Sequence, residues 1–318
     1  MIPVSVVTGF LGAGKSTLLR RVLRDPAWAD SAVIVNEFGE IPLDHDLIAA
    51  SEESFVSAST GCLCCVVRDD LTRTLLDLLR RREAGEVPRY ERVLIETSGL
   101  ADPAPILHAL MTDEALAATH ALQGVATLVD ALHGEAALAR HPEAQRQVML
   151  ADRILVTKPD LAPAPEAAIR ALNPAAPLRA AEQGAAEPAW LFAPAPRPAD
   201  LPDWAARHTA GLTSIVIERE APIPALALTL WMQGLAEHAG PRLLRLKGLV
   251  ALAEDPARPA VLHAIQHMVH PLEWLDRWPG ADRRSRIVLI GERIPRHFPA
   301  RLLAAVEAEV AEASAGRR

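Results

Sequence analysis

A glycine-rich loop with one lysine and one serine is the first part of the sequence whose residues could do chemistry. Gly9–Ser16 reads GFLGAGKS and fits the pattern G-x-x-x-x-G-K-[ST] in full, after an apolar run and before a helical pattern. The glycines allow backbone N–H groups to surround phosphate oxygens without Cβ clashes. Lys15 suits the β- and γ-phosphates, and the Ser16 hydroxyl suits Mg²⁺. The residues that we expect to contact a nucleoside triphosphate here are Gly9, Gly12, Ala13, Gly14, Lys15, Ser16 and Thr17.

A carboxylate at the end of a later apolar run is the candidate partner of this loop. The segment Leu94–Pro103 reads LIETSGLADP, so Glu96 ends a strand pattern and Gly99 follows it closely. A carboxylate that supports Mg²⁺ or orients the attacking water, and a glycine that senses the γ-phosphate, belong at such a place in a triphosphatase. We assign catalytic roles to Lys15 and Glu96 and nucleotide contact to Gly99. The alternative is a surface carboxylate at a strand end.

The segment Leu155–Asp160, LVTKPD, is the candidate reader of the base. It is similar to the guanine-reading pattern N-K-x-D, in which the aspartate accepts hydrogen bonds from guanine N1–H and the N2 amino group. Lys158 would lay its stem over the base, and Asp160 would read the guanine edge. Thr157 stands where the pattern has asparagine, which is a departure at the first position. We expect a preference for guanine.

All three cysteines of the chain lie within four residues, at Cys62, Cys64 and Cys65. Thiolates at such spacing suit Zn²⁺ or Co²⁺ and not a disulfide framework. Two or three thiolates leave the coordination shell incomplete, so an oxygen or nitrogen ligand must close it. The residues that we expect to do so are Glu37 and Glu40, with Asp44, His45 and Asp46 as alternatives. Burial of the cysteines as small apolar side chains is the competing interpretation.

The elements that must position these residues form an α/β pattern. Short apolar runs alternate with helical patterns in the first half, which predicts a P-loop NTPase domain with a mostly parallel sheet flanked by helices. A stretch rich in proline and alanine follows. The second half predicts a smaller α+β domain. We expect the domain bounds 1–190, 191–210 (the linker) and 211–318.

Charge and hydropathy exclude two classes of partner. The net charge of −7 is opposite in sign to a nucleic-acid-binding footprint. No apolar run approaches the length of a membrane span, and no basic leader is visible. Together with the cysteine spacing, this indicates a cytoplasmic protein that binds neither nucleic acid nor membrane. A homodimer is left open.

The order of these motifs resembles the CobW-like GTPases. The cysteine motif GCLCC at Gly61–Cys65 between the phosphate loop and the Glu96 strand is the specific part of this resemblance, together with VNEFGE at Val35–Glu40 and ETSGLADP at Glu96–Pro103. The resemblance covers nearly the whole chain. It implies a GTP-hydrolysing metallochaperone that uses GTP, Mg²⁺ and Zn²⁺ (or Co²⁺) and delivers metal to a client metalloprotein.

Two alternatives and one departure accompany this resemblance. A GTP-switched metal-sensing protein would bind the metal without transferring it, and a P-loop kinase would use the cysteines structurally. The long histidine tract of some relatives is missing, which disfavours metal storage. For the three histidines in LHAIQHMVH we favour a structural or partner-binding role over metal ligation; they are His263, His267 and His270.

Overall fold

The structure is a computed structural model of the 318-residue chain, and it forms two compact units. The described residues are 1–35, 67–181, 187–194, 208–209, 212–265, 268–269 and 272–315. The first unit comprises Met1–Ile169 with Ala176–Pro196, and the second comprises Arg170–Ala175 with Arg197–Arg318. The expected domain bounds stay a prediction, because most of residues 195–211 lie outside the described ranges.

The first unit is built on a six-stranded sheet in the order β2-β3-β1-β4-β5-β6, in which every neighbouring pair is parallel. Its strands are β1 (Ile2–Gly9), β2 (Ser31–Val35), β3 (Arg92–Glu96), β4 (His120–Asp130), β5 (Arg153–Thr157) and β6 (Leu178–Ala180). The apolar runs at β1 to β5 predicted these strands, because a parallel sheet covered on both faces buries consecutive residues. Val4, Val6 and Val7 of the central strand β1 are fully buried.

The strand order determines where a ligand can sit. From β1 the chain moves to one side of the sheet for β2 and β3, and then crosses to the other side for β4, β5 and β6. The carboxyl ends on both sides of such a crossing flank a crevice that binds ligands in open α/β sheets. The residues that reach this edge are Gly9, Glu96, Asp130 and Thr157.

Helices cover this sheet. They are α1 (Lys15–Val22), α2 (Val67–Glu83), α3 (Ala104–Thr112), α4 (Glu114–Thr119), α5 (Gly134–Arg140), α6 (Pro142–Met149), α7 (Glu166–Leu172) and α8 (Pro188–Leu191). Helix α1 buries Leu18, Leu19 and Val22 in the core beside β1. It ends at Val22, where the Leu23 and Arg24 N–H groups close the last turns, and Pro26 then begins a 3₁₀ turn.

The second unit holds a seven-stranded antiparallel sheet in the order β11-β10-β9-β13-β8-β7, with β12 paired to β10. Its strands are β7 (His208–Thr209), β8 (Leu212–Arg219), β9 (Leu243–Leu252), β10 (Asp255–Ile265), β11 (Met268–Val269), β12 (Glu273–Trp274) and β13 (Ser285–Glu292). The predicted small α+β domain is confirmed, although the sequence analysis did not identify β10 as a strand.

Two helices pack on one face of this sheet, α9 (Ala225–Ala239) and α10 (Phe298–Ala315). Helix α9 begins at Ala225, shortly after Ile223, whose N–H donates to Ala251 O and which pairs with Leu252. Trp231 is fully buried and donates from Nε1 to Pro299 O at 2.8 Å, which joins the two helices. Among the helices that the structure describes, none combines the length and the apolar character that crossing a bilayer requires.

Candidate nucleotide-binding site

The loop between β1 and α1 has the backbone geometry that surrounds an anion. Gly9, Gly12 and Gly14 have φ of 148°, 75° and 89°, a region in which residues with a Cβ are strained. A Cβ on Gly9 would lie 2.5 Å from Leu128 O, so this strand end also needs glycine for space. Helix α1 starts directly after Gly14, and its first N–H groups and its dipole favour a negative ligand.

Lys15 lies inside this loop. Its side chain is buried, and Nζ donates to Gly9 O at 2.8 Å and to Phe10 O at 3.3 Å. These carbonyls satisfy the ammonium group from within the loop and hold it among the backbone groups that would surround phosphates. The role of Lys15 at the β- and γ-phosphates stays a prediction.

Ser16 and Glu96 meet across 80 residues of sequence. Ser16 Oγ donates to Glu96 Oε1 at 2.7 Å, and the Glu96 side chain is buried at the carboxyl end of β3. A hydroxyl and a carboxylate are the hard oxygen donors that Mg²⁺ takes from proteins. The two residues that the sequence analysis assigned to Mg²⁺ and to catalysis thus form one donor pair at the foot of the loop.

Gly99 packs against the phosphate loop. A Cβ at this residue would lie 2.7 Å from Leu11 N and 2.8 Å from Leu11 Cα, so only glycine fits. Leu100, the next residue, is exposed. The turn that carries Gly99 is closed by Ala101 N–H, which donates to Ser98 O. The predicted sensor of the γ-phosphate is therefore in contact with the loop that would bind that phosphate.

At the other end of the site, Lys158 bridges two strand ends. Its φ is 55°, and Nζ donates to Asp130 Oδ2 at 2.6 Å and to Gly12 O at 3.0 Å. Burial opposes ionisation of Asp130, but hydrogen bonds from Lys158, Leu132 N–H and His133 outweigh it and hold the pKa of this carboxyl below its ordinary value. Asp160, two residues beyond Lys158, is exposed.

The side chain of Thr157 is hydrogen-bonded to the phosphate loop. Its Oγ1 donates to Ala13 O at 2.9 Å, with Val129 O at 3.5 Å as a second acceptor. The residue that departs from the guanine-reading pattern therefore connects the end of β5 to the phosphate loop.

Three structural supports of the site escaped the sequence analysis. Asp130 ends an apolar strand, as Glu96 does, and this signal could have identified it. The hydroxyl bond of Thr157 needed the strand order to become visible. Gln147 on α6 contacts the Gly99 turn from a distance of 48 residues in sequence, and no local pattern marks it.

The predicted ligands of the transition metal lie outside the described residues. They are Cys62, Cys64, Cys65, Glu37 and Glu40, with the alternatives Asp44, His45 and Asp46. His267 and His270, for which we favour a structural or partner-binding role, also lie outside these residues. Within the described ranges, no group of three or more His, Cys, Asp or Glu side chains could hold a metal ion. His263 lies on β10, paired with Lys247 of β9.

Val35 and Val67 flank residues 36–66, which contain the three cysteines, and the position of Val35 in the sheet is known. Strand β2 ends at Val35, which is the register partner of Glu96 on β3, and the described chain resumes at Val67, where α2 begins. The residues that contain the predicted metal ligands therefore follow a strand end that lies beside the carboxylate that contacts Ser16.

Comparison with known protein families matches both units. Residues 3–181 match the model described as CobW/HypB/UreG, nucleotide-binding domain, and residues 212–307 match the cobalamin synthesis protein cobW C-terminal domain. The zinc chaperone YjiA of Escherichia coli (strain K12) is 33% identical over 309 residues, which cover 92% of this chain and 95% of that protein. The zinc chaperone CobW of Pseudomonas aeruginosa is 41% identical over 152 residues, which cover 45% of this chain and 39% of that one.

Solved structures give the same result over both units. The crystal structure of Zn(II)-bound YjiA GTPase from E. coli is 28% identical with a TM-score of 0.75, covering 96% of this chain and 98% of that one. A Zn(II)-bound triple mutant of YjiA GTPase gives a TM-score of 0.77 at 29% identity, with 96% and 99% covered. The expected resemblance is confirmed, and the chain belongs to the CobW/HypB/UreG family, with a CobW C-terminal domain after its nucleotide-binding domain.

Proposed function

We propose that this protein is a GTP-hydrolysing metallochaperone that binds a transition metal, zinc first, and delivers it to a client metalloprotein. The observation that carries the proposal is the meeting of Ser16 and Glu96 at 2.7 Å, beside the strand end from which the cysteine-bearing segment departs. The printed names of the relatives, zinc chaperones and a zinc-regulated GTPase metalloprotein activator in Schizosaccharomyces pombe, support the metal assignment.

The phosphate end of the site is assigned from the loop geometry. Backbone N–H groups of the loop bind the phosphates of GTP, and Lys15 exchanges its loop carbonyls for β- and γ-phosphate oxygens. Ser16 and Glu96 are the residues that would hold Mg²⁺, which neutralises phosphate charge when bound. The alternative role of Glu96 is to orient the attacking water instead of supporting Mg²⁺. The backbone contacts are Gly9, Gly12, Ala13, Gly14, Thr17 and Gly99.

The base end is assigned to Lys158 and Asp160. Asp130 Oδ2 and Gly12 O hold the ammonium group of Lys158. We assign the aliphatic stem of Lys158 to the face of the base. Asp160 accepts from guanine N1–H and the N2 amino group, which adenine does not offer. A site whose polar groups would be left unpaired by the wrong base discriminates strongly.

The cargo zinc is assigned to Cys62, Cys64 and Cys65, with Glu37 or Glu40 completing the shell. Because thiolates are the ligands, this site needs a reducing compartment, and we place the protein in the cytoplasm. Hydrolysis of GTP changes the segment that leaves the sheet beside Glu96, and this change alters metal affinity. Coupling of this kind is reciprocal for binding.

Hydrolysis and base choice are tested first. GTP turnover should exceed ATP turnover, and Asp160→Asn should erode this difference while the phosphate contacts persist. Equal GTPase and ATPase rates in the parent protein would contradict the assignment of the base end.

Metal delivery is tested with a chromophoric zinc chelator as acceptor. The zinc-loaded protein should release zinc faster with GTP than with GDP or a non-hydrolysable GTP analogue. A protein that binds zinc and GTP but releases zinc at one rate with all three nucleotides is a metal-sensing switch without transfer. That result would replace the chaperone assignment with the alternative.

A further inference from the structure

We infer that Gln147, on α6, is a positioning residue for the turn that carries Gly99 and that it sets how well the site discriminates GTP from GDP. The inference rests on the proposed GTP site. It concerns a residue far from the phosphate loop in sequence, which acts through the backbone of the turn after β3.

Gln147 holds this turn by two hydrogen bonds. Its Nε2 donates to Gly99 O and to Ala101 O, both at 3.0 Å, and the residue is 1% exposed. Both partners are carbonyl acceptors, so the orientation of the side-chain amide is determined by the contacts. The two carbonyls stand on either side of Leu100, and the amide therefore spans the turn.

One further hydrogen bond anchors the backbone of Gln147 to the sheet. Its backbone O accepts from Thr127 Oγ1 at 2.8 Å, and Thr127 is fully buried in β4. Its Oε1 is buried and has no hydrogen-bond partner in the described part of the chain. An apolar side chain of the same shape would avoid this unsatisfied acceptor. Packing alone therefore does not account for glutamine here, whereas the two bonds to the turn do.

A second contact from the same helix acts on the same turn. Arg146 Nη1 donates to Asp102 Oδ2 at 2.7 Å, and Asp102 Oδ1 accepts from Ala104 N–H at the start of α3. This pair is partly exposed, so it contributes less than the buried amide. Helix α6 thus holds the segment 99–102 at three acceptors.

The same helix also reaches the phosphate loop. His141, which precedes α6, stacks on Phe10 with 4.6 Å between ring centroids and 28° between ring planes. Gly99 lies against Leu11 of that loop without space for a Cβ. The chain from His141 to Gln147 therefore contacts both the loop that would bind the phosphates and the turn that must respond to the third phosphate.

Ordering of the Gly99 turn affects the binding of GTP and not the binding of GDP. GTP offers a γ-phosphate to the Gly99 turn, and GDP offers none. A turn held by Gln147 is ordered before GTP binds, whereas a released turn must be ordered at the cost of conformational entropy. Gln147 therefore supports the GTP complex and leaves GDP contacts unaffected.

The test compares Gln147→Met with Gln145→Met. Gln145 lies on the same helix and donates from Nε2 to Leu138 O at 2.7 Å, so its variant loses a bond of the same type without touching the turn. For Gln147→Met we expect GTP affinity and kcat each to fall about tenfold, with GDP affinity within about twofold of the parent. Amide hydrogen exchange in residues 98–103 should become faster. Gln145→Met should match the parent in all four measurements.

Three results would overturn the inference. They are an unchanged ratio of GTP to GDP affinity in folded Gln147→Met, a parallel loss of both affinities, and tighter GTP binding. If Gln147→Met does not fold, Arg146→Gln provides the same test, with a loss in the same direction and smaller size. A parent protein that hydrolyses no GTP contradicts the proposed function, whereas a GTP-hydrolysing parent with an unaltered Gln147→Met variant contradicts only the role of Gln147.

Discussion

The ammonium group of Lys15 has hydrogen-bond acceptors in the loop without nucleotide, and phosphate oxygens would replace them when a nucleotide binds. In this structure its ammonium group is buried and bonded to two loop carbonyls, so the charge is compensated before any phosphate arrives. Phosphate oxygens would replace those carbonyls with charge-assisted hydrogen bonds, which are stronger than neutral ones. We therefore expect Lys15 to contribute little to the stability of the fold and much to the affinity for a phosphate ligand.

Lys15→Ala should weaken triphosphate binding severely and leave the fold intact. Loss of charge-assisted bonds worth about 3 kcal/mol corresponds to roughly a hundredfold weaker GTP binding. Calorimetry with GTP, together with thermal unfolding, measures both parts. The control is Lys247→Ala in the second unit, which should bind GTP as the parent does. Unaltered GTP affinity in Lys15→Ala would end the nucleotide assignment.

Asp130 is the residue that holds Lys158. Because the folded pKa of Asp130 is depressed below the unfolded value of about 3.9, its stabilisation is present above that value. It is lost as the pH falls through the folded pKa. Lys158 is partly exposed, so solvent screening reduces the value of the pair.

Asp130→Asn should lower the free energy of unfolding by about 1 kcal/mol at pH 7. The difference from the parent should shrink as the pH falls below about 4, because the parent carboxylate then loses its charge as well. Urea unfolding at pH 7 and at several lower pH values measures this. A difference that is the same at every pH would mean that the charge of Asp130 does not carry the effect.

At the scale of elements, the site depends on contacts between turns that follow different strands. The loop after β1 meets the turn after β3 at Leu11 and Gly99, and it meets the end of β5 at Thr157. The contact between Gly99 and Leu11 leaves no space for additional atoms, since the two backbones approach each other directly. A small change at one turn therefore displaces the other.

Gly99→Ala should lower kcat for GTP by at least about tenfold. Its Cβ would lie within 2.8 Å of the Leu11 backbone, so the turn after β3 must move away from the phosphate loop. Gly280→Ala is the matched control, because a Cβ there has no atom within 4 Å and the backbone φ is not in the left-handed region. Steady-state GTPase rates for both variants measure the effect. Equal rates in Gly99→Ala and the parent would show that the contact is not needed.

At the scale of the whole molecule, nucleotide and metal sites are expected to be coupled through residues 36–66. Both ends of that segment are attached to the nucleotide-binding unit, at Val35 beside Glu96 and at the start of α2. A shift that follows the γ-phosphate would alter the distance between Glu40 and the cysteines. The metal shell would then close or open.

Co²⁺ should therefore bind through Cys64 with an affinity that depends on nucleotide. A coupling of about 1–3 kcal/mol, or roughly 5- to 150-fold, is typical of such linkage. Sulfur-to-cobalt charge-transfer bands should appear in the parent and vanish in Cys64→Ala, and affinity should rise with pH because thiols must lose protons. Identical Co²⁺ titrations with a non-hydrolysable GTP analogue and without nucleotide would contradict the prediction, because they would show that nucleotide does not change the metal affinity.

The sequence by itself determined the α/β class, the phosphate loop and the strands β1 to β5, because glycine spacing, apolar runs and strand-end carboxylates are local properties. It did not reveal β10, where Pro256 and Pro259 obscure the strand pattern beside an irregular register. It also could not reveal the bonds from Ser16 to Glu96, Thr157 to Ala13, and Gln147 to Gly99. These join residues 48 to 144 positions apart. Only the order of parallel strands, and the helix packed over their ends, decides which turns meet.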